Sequence, residues 1–180
     1  MTRRRLARSN DLLERLKPSQ RQQADDIVCI SIVRDEMLRL PDFFRHYRSL
    51  GVDRFAMVDD HSKDGSREFV LEQPDAALYR TRESFEAGRY GACWASWVAM
   101  REALGHWCII ADADEHLVYD RCEDHPLPQL AALLGKAGRN SLTCLLVDMY
   151  GEGPVAATTP VRDEPLLAVS GYFDGSGYQL

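Results

Sequence analysis

No stretch of the sequence approaches the roughly 18–20 consecutive apolar residues that a membrane-spanning helix needs. The basic N-terminus lacks the apolar segment of a secretory signal. The five cysteines (Cys29, Cys93, Cys108, Cys122 and Cys144) form no CxxC pair and no zinc-ligand spacing. Cys29, Cys108 and Cys144 lie in apolar runs, where free cysteine serves as a small core residue, so a reducing, cytoplasmic setting is expected. Basic charge is not in excess either. The net charge of −6 argues against a nucleic-acid partner. The chain also lacks internal repeats and low-complexity tracts. Its 180 residues suffice for one domain with a substantial core, and not comfortably for two.

What charge there is lies unevenly. Residues 1–26 hold seven Arg or Lys against four acids, a local +3, which leaves −9 on the remainder. An acidic body that handles a phosphorylated ligand needs a cation as a bridge. Within residues 1–24, Leu6, Leu12, Leu13 and Leu16 fall at loosely helical spacing. The favoured reading is a basic N-terminal extension forming a solvated helix or tail. The sharper reading, a weak peripheral contact with an anionic membrane, has only four leucines behind it.

From residue 25 onward the pattern is that of a single α/β domain. Ile27 to Val33 is a short apolar run rich in β-branched residues, which fits a strand buried on both faces. Leu40, Phe43, Phe44 and Tyr47 follow at i, i+3, i+4 and i+7, one face of a helix that Pro41 opens and Gly51 stops. A strand is predicted at 54–58, a polar turn at 59–65, a short helix at 66–72 and a strand at 76–80. A long helix begins near Tyr90 and ends near Gly105. Strands at 107–111 and 141–147 flank a helix marked by Leu127, Leu130, Leu133 and Leu134, and 166–169 reads as a further strand. Alternating strands and helices imply βαβ units, a mostly parallel sheet and a Rossmann-like architecture. Ligands in such sheets bind beyond the carboxyl ends of the strands. Four predicted strands run into charge at that end: Arg34-Asp35-Glu36, Asp59-Asp60, Asp112 and Asp148.

Asp112-Ala113-Asp114-Glu115 carries the sharpest chemical signal. Residues two apart on an extended chain face the same way, so Asp112 and Asp114 point together with Ala113 turned aside. Two close carboxylates repel and invite a cation. Hard oxygen ligands suit Mg²⁺ or Mn²⁺, which keep waters and bind substrate phosphates as well. A bound metal would make a diphosphate a better leaving group. In Asp59-Asp60-His61-Ser62-Lys63-Asp64-Gly65, Asp64 and Gly65 suit turn and cap chemistry, whereas Asp59 or Asp60 could accept from a base or a ribose hydroxyl. Arg89 precedes the long helix, where a cation adds to the positive end of the helix dipole. His106, His116 and His125 have no metal spacing and read as surface or capping residues. Tyr90, Trp94 and Trp97 sit at helical spacing and read as core.

The stretch Ile30 to Glu36, Leu40-Pro41, His46-Tyr47 and Leu50-Gly51-Val52 resembles the opening of family 2-like glycosyltransferases. The resemblance continues through Val58 to Gly65, a variant of that family's DDxSxDGT turn, then Arg89-Tyr90-Gly91 and Trp107 to Glu115. It covers about residues 27–120, and more weakly 141–174. It implies a GT-A fold and a metal-dependent, inverting transfer of a sugar, with UDP-sugar the favoured donor. It further implies that Val33, Arg34, Glu36, Asp59 or Asp60, Arg89 and Asp112 contact the nucleotide, and that Asp112 and Asp114 hold Mn²⁺ or Mg²⁺ on the diphosphate. The acceptor, whether glycan, lipid or protein, is not named by these residues. Ser66 stands where the family usually has Thr. The family's acceptor-side acid lies well beyond the metal motif, where this chain offers only Asp148, Asp163, Glu164 and Asp174, so a C-terminally truncated transferase is expected.

Two other readings compete. One is a nucleotide-sugar-binding module that lacks a complete acceptor site. The other, less favoured, is a phosphohydrolase of the haloacid-dehalogenase type, which also places a DxD at a strand end. That fold wants the motif after its first strand, with Thr or Val two residues beyond, and here His116 occupies that place.

Overall fold

The computed structural model describes residues 13–20, 23–154 and 164–176. Its centre is a five-stranded sheet: β1 (Leu13–Lys17), β2 (Val28–Val33), β3 (Arg54–Asp59), β4 (Ala76–Thr81) and β5 (Cys108–Ile110), in the order β1-β4-β3-β2-β5. Strands β4, β3, β2 and β5 are parallel, and β1 joins the β4 edge antiparallel. Helices α1 (Leu40–Ser49), α2 (Ser66–Glu72), α3 (Ala92–Glu102) and α4 (Leu127–Lys136) flank it, and α5 (Leu166–Val169) is a single turn. The chain is therefore α/β, with a mostly parallel mixed sheet compatible with a Rossmann-like fold.

The period of two along the strands sorts side chains into two cores. Cys29, Val33, Phe55, Met57 and Leu78 point to one face, where Leu40, Phe43, Phe44 and Tyr47 of α1, Val70 of α2 and Leu127 of α4 cover them. Val28, Ile30, Ala56, Val58, Ala77 and Tyr79 point to the other, under Trp94 and Val98 of α3. Each fully buried large apolar side chain contributes on the order of 1.5–3 kcal/mol. Phe44 and Phe55 lock α1 to β3, with ring centroids 4.3 Å apart. Pro41 lies in the first turn of α1, and the helix stops before Gly51, whose φ of +89° suits a residue without Cβ. A side chain there would also meet Pro128 Cδ at 3.0 Å, because α4 begins against this turn.

One buried charge network lies at the opposite end of the strands from the site described below. Arg54, at the start of β3, donates from Nε to Asp26 Oδ2 at 2.7 Å and from Nη2 to the Glu102 carbonyl at 3.0 Å. Tyr79 donates its hydroxyl to Glu102 Oε1. These pairings satisfy groups that would otherwise be costly to bury.

Several expectations are corrected. Leu13–Lys17 is not helical: it is the edge strand β1, with Leu13 opposite Thr81 and Leu13 buried in the second core. Leu6 and Leu12, and the remainder of the supposed membrane contact before Leu13, lie outside the described residues. Ser141 to Val147 forms no strand; residues 141–146 are exposed, and Leu146 is 67% accessible. Leu166–Val169 is a helical turn rather than a strand, tied to α1 where the Leu166 amide donates to Asp42 Oδ2 at 2.8 Å. Cys108 and Cys144 are exposed, whereas Cys29 and Cys122 are buried. Burial pushes the Cys29 thiol well above its ordinary range. Among the described residues, no helix is long and apolar enough to cross a membrane.

Candidate functional site at the β2–β5 rim

The strand order reverses beside β2. The chain steps outward from β2 to β3 to β4, then returns through α3 to place β5 on the other side of β2. In open α/β sheets the crevice at such a reversal, beyond the carboxyl ends, is where ligands bind. The register puts those ends on one rim, with Val33 opposite Asp59 and Asp59 opposite Arg80.

On the β2 side, Val33 is buried and its carbonyl accepts the Asp60 amide at 2.8 Å. Arg34 is exposed and places Nη1 3.6 Å from Asp60 Oδ2. The loop after β2 is stitched to the turn after β3. The Asp35 amide donates to Ser62 Oγ (3.1 Å), the Glu36 amide to Ser66 Oγ (2.8 Å) and the Met37 amide to Asp64 Oδ2 (2.8 Å), while Asp35 Oδ1 accepts from the Lys63 amide (2.6 Å). Ser66, where a threonine is usual in the resembled turn, is thus fully buried and used. Half-buried Glu36 pairs with Arg39 at 2.7 Å. Burial nevertheless raises its carboxyl, and the carboxylates of Asp114 and Asp64 push it further up, so Glu36 shares the field of the β5 loop.

Asp59 and Asp60 separate in role. Asp59 is completely buried. Its Oδ1 accepts the Ser62 amide at 3.1 Å, and its Oδ2 accepts from Arg67 Nε at 2.8 Å and pairs with Nη2 at 2.6 Å. Both oxygens are consumed within the fold. Asp60 is nearly buried. It accepts from Thr81 Oγ1 at 2.9 Å, touches His61 Nδ1 at 3.0 Å, and still faces exposed Arg34. Of the two, Asp60 is the one in contact with exposed groups.

On the β5 side the ladder continues one bond past the strand, from the Ala111 amide to the Ile30 carbonyl at 3.1 Å. A turn follows. The Glu115 amide donates to the Asp112 carbonyl at 3.0 Å, and the Asp112 amide donates to Glu115 Oε2 at 3.0 Å. The alternation expected of a strand persists through this turn: Ala111 and Ala113 are buried in the first core, and Asp112 and Asp114 are exposed. Partial burial raises the Asp112 carboxyl, with Glu115 and then Asp114 adding repulsion. Among the described residues no group of three or more His, Cys, Asp or Glu side chains is arranged to hold a metal ion. A cation held by two carboxylates plus a substrate diphosphate does not need a third protein ligand. The mutual repulsion here is what such a cation would relieve, so Asp112 and Asp114 fit Mg²⁺ or Mn²⁺ in that mode.

Arg89 lies in a strained turn before α3. Arg89, Tyr90 and Gly91 have φ of 53°, 54° and 83°, a run of left-handed residues of which only the glycine is at ease. Gly91 is required for packing too, because a Cβ there would lie 2.6 Å from Ile32 Cδ1 on β2. The start of α3 therefore abuts β2 next to the rim. Arg89 itself is exposed, and among the described residues no ion pair or side-chain hydrogen bond joins it to Asp60 or Asp112. Tyr90, expected in the core, is 73% accessible, whereas Trp94 is fully buried.

The acceptor-side acids are not brought to the rim strands. Asp148 follows a segment that does not enter the sheet, and it is exposed, as is Glu164. Asp174 Oδ1 accepts the Tyr150 hydroxyl at 3.0 Å, beside the Tyr150–Tyr172 bridge. Asp163 lies outside the described residues. His116 is half-buried rather than superficial, with its side chain only 7% accessible. Its ring stacks on His46 at 4.1 Å, and its Nε2 lies 3.6 Å from Asp42 Oδ2. Spacing could not show this, because the pair comes from two distant segments.

These features define a class: an α/β protein whose strand order reverses beside an exposed pair of carboxylates, Asp112 and Asp114. Compared with known families and with curated proteins, the chain matches no family model and no curated sequence.

Proposed function

We propose that the chain is the donor-binding domain of a metal-dependent glycosyltransferase with a GT-A type fold, taking a nucleoside diphosphate sugar, with a UDP-sugar as the favoured donor. One observation carries the reading: an exposed carboxylate pair, Asp112 and Asp114, stands on a turn beyond β5, beside the end of β2, at the reversal of strand order. The pair would hold Mn²⁺ or Mg²⁺ on the diphosphate, and the metal would supply charge neutralisation of the leaving group. Asp60 would accept from the nucleoside, and Val33 and Arg34 beside it support that role. Glu36 borders the metal side, and Arg89 at the head of α3 is the remaining cation for the nucleotide. Asp59 acts through the fold, holding the turn that carries Asp60.

A second reading rests on the region after α4. Asp148 and Glu164 are exposed outside the sheet, and the 141–147 segment adds no strand to it. That favours donor binding over rapid transfer, hence slow hydrolysis of a nucleotide sugar and little glycosyl transfer, since an acceptor hydroxyl needs a base within about 2.6–3.2 Å.

The test is thermal unfolding with UDP, GDP and ADP, each with and without Mn²⁺ or Mg²⁺. A selective ligand at 100 times its dissociation constant should stabilise the fold by about 2.7 kcal/mol, and only with metal. Equal shifts in EDTA would remove the metal bridge from the proposal.

A further inference from the structure

The other end of the rim is lined mainly by arginines. Beyond β4 an open cleft of about 400 Å³ is lined by Glu14, His61, Arg67, Arg80, Thr81 and Arg82. Three guanidinium groups face one carboxylate there, in a chain whose net charge is −6. Alternation along the end of β4 aims Arg80 and Arg82 to one side, and β1 brings Glu14 across the ladder opposite Arg80. Glu14 Oε2 lies 2.6 Å from Arg80 Nη2 and 3.7 Å from Arg82 Nη2, so one carboxylate draws the two arginines together. Arg67 enters from α2, fixed through Nε and Nη2 by buried Asp59. His61 is oriented by Asp60 Oδ1 at 3.0 Å and by Thr81 Oγ1 at 3.2 Å.

We propose that this cleft is an anion-binding subsite that takes a phosphoryl group directly, without a metal. The chemistry follows from the donors. A guanidinium offers five N–H groups in a planar fork that matches phosphate oxygens. The pairs with Glu14 and Asp59 engage only part of each fork, through Nη2 of Arg80 and through Nε and Nη2 of Arg67. The remaining N–H groups are held in position before a ligand arrives, which reduces the ordering cost of binding. Arg82 is the most exposed of the three, at 57%, and is the group with most to gain from a dianion. The Asp112–Asp114 carboxylate pair needs a cation to receive phosphate, and this cleft supplies its own. The subsite stands independently of the donor site: it would hold the phosphoryl group of a second ligand, either a soluble phosphorylated molecule or a lipid headgroup.

The experiment is calorimetric titration of the full chain with inorganic pyrophosphate in EDTA, at low and at moderate salt. Binding is expected without metal and should weaken as salt screens the arginines. Arg82→Ala should weaken it by about tenfold or more, as expected for loss of one charge-assisted hydrogen bond. Glu14→Gln should tighten it by freeing the fork of Arg80, an opposite sign that a folding defect would not produce. Asp114→Asn should leave pyrophosphate binding in EDTA unchanged. Vesicles containing phosphatidic acid that compete with pyrophosphate assign the lipid source, and absence of competition assigns the soluble one. Binding that appears only with metal and disappears in Asp114→Asn overturns the subsite while leaving the donor site standing. An Arg82→Ala chain with unchanged affinity overturns it as well.

Discussion

Asp59→Asn separates an anchor from a ligand contact. The carboxylate is completely buried, and its two oxygens meet the Ser62 amide and two nitrogens of Arg67. An amide oxygen can replace one acceptor but carries no charge for the guanidinium. Removing one partner of a buried ion pair costs about 3–5 kcal/mol. Arg67 is 25% accessible and can recover some hydration, which places the loss near the lower end of that range, about 3 kcal/mol. For a chain of this length each kcal/mol moves the melting temperature by about 2–4 °C, so a drop of about 6–12 °C is expected. Asp60→Asn should behave differently. Asp60 keeps its Thr81 contact through an amide oxygen, so the melting temperature should fall less, and nucleotide binding should suffer more. The assay is thermal unfolding of both variants followed by nucleotide titration with Mn²⁺ below their transitions. An Asp59→Asn chain that melts within about 2 °C of the parent yet has lost nucleotide affinity, a stability change below about 1 kcal/mol, would refute the assignment of Asp59 to the fold.

Two further outcomes are expected. Asp114→Asn should abolish metal-dependent nucleotide stabilisation while the metal-free melting temperature holds or rises at pH 7, because it removes one of the carboxylates that raise Asp112 and Glu36; a variant that unfolds while keeping its metal response would make the pair structural. Burial, with His46 adding repulsion, lowers the His116 imidazole to about 4 from an ordinary 6.5, so the unfolded chain binds the proton more tightly and stability falls as pH drops from about 6.5 toward 4; unfolding titrations of His116→Gln across that window should show a shallower loss than the parent, and an equal slope would place the acid sensitivity elsewhere.

Local pattern determined much of this protein. The runs around Ile30, Val58 and Leu78 are buried strands because continuous β-branched and apolar residues can be satisfied only by a sheet covered on both faces. The 3.6 period at Leu40, Phe43, Phe44 and Tyr47 places α1, and the burial alternation of Ala111-Asp112-Ala113-Asp114 is legible in the sequence alone. The tertiary structure decided whatever depends on a partner distant in sequence. Leu13–Lys17 has no strand signature of its own and becomes β1 because the edge of β4 offers it a ladder some 65 residues away. The 141–147 run has the composition of a strand and remains outside the sheet: β propensity expresses the fit to a neighbouring strand, and among the described residues none is supplied. Asp59 and Asp60 are adjacent and chemically identical in sequence, yet alternation turns one into the buried grip of Arg67 and the other toward Arg34 and His61. The cleft of Arg67, Arg80 and Arg82 was likewise invisible as a motif, because a helix, two strands and a turn each contribute only one or two of its groups, and only the packing of α2, β1 and β4 brings their charges within a few ångströms.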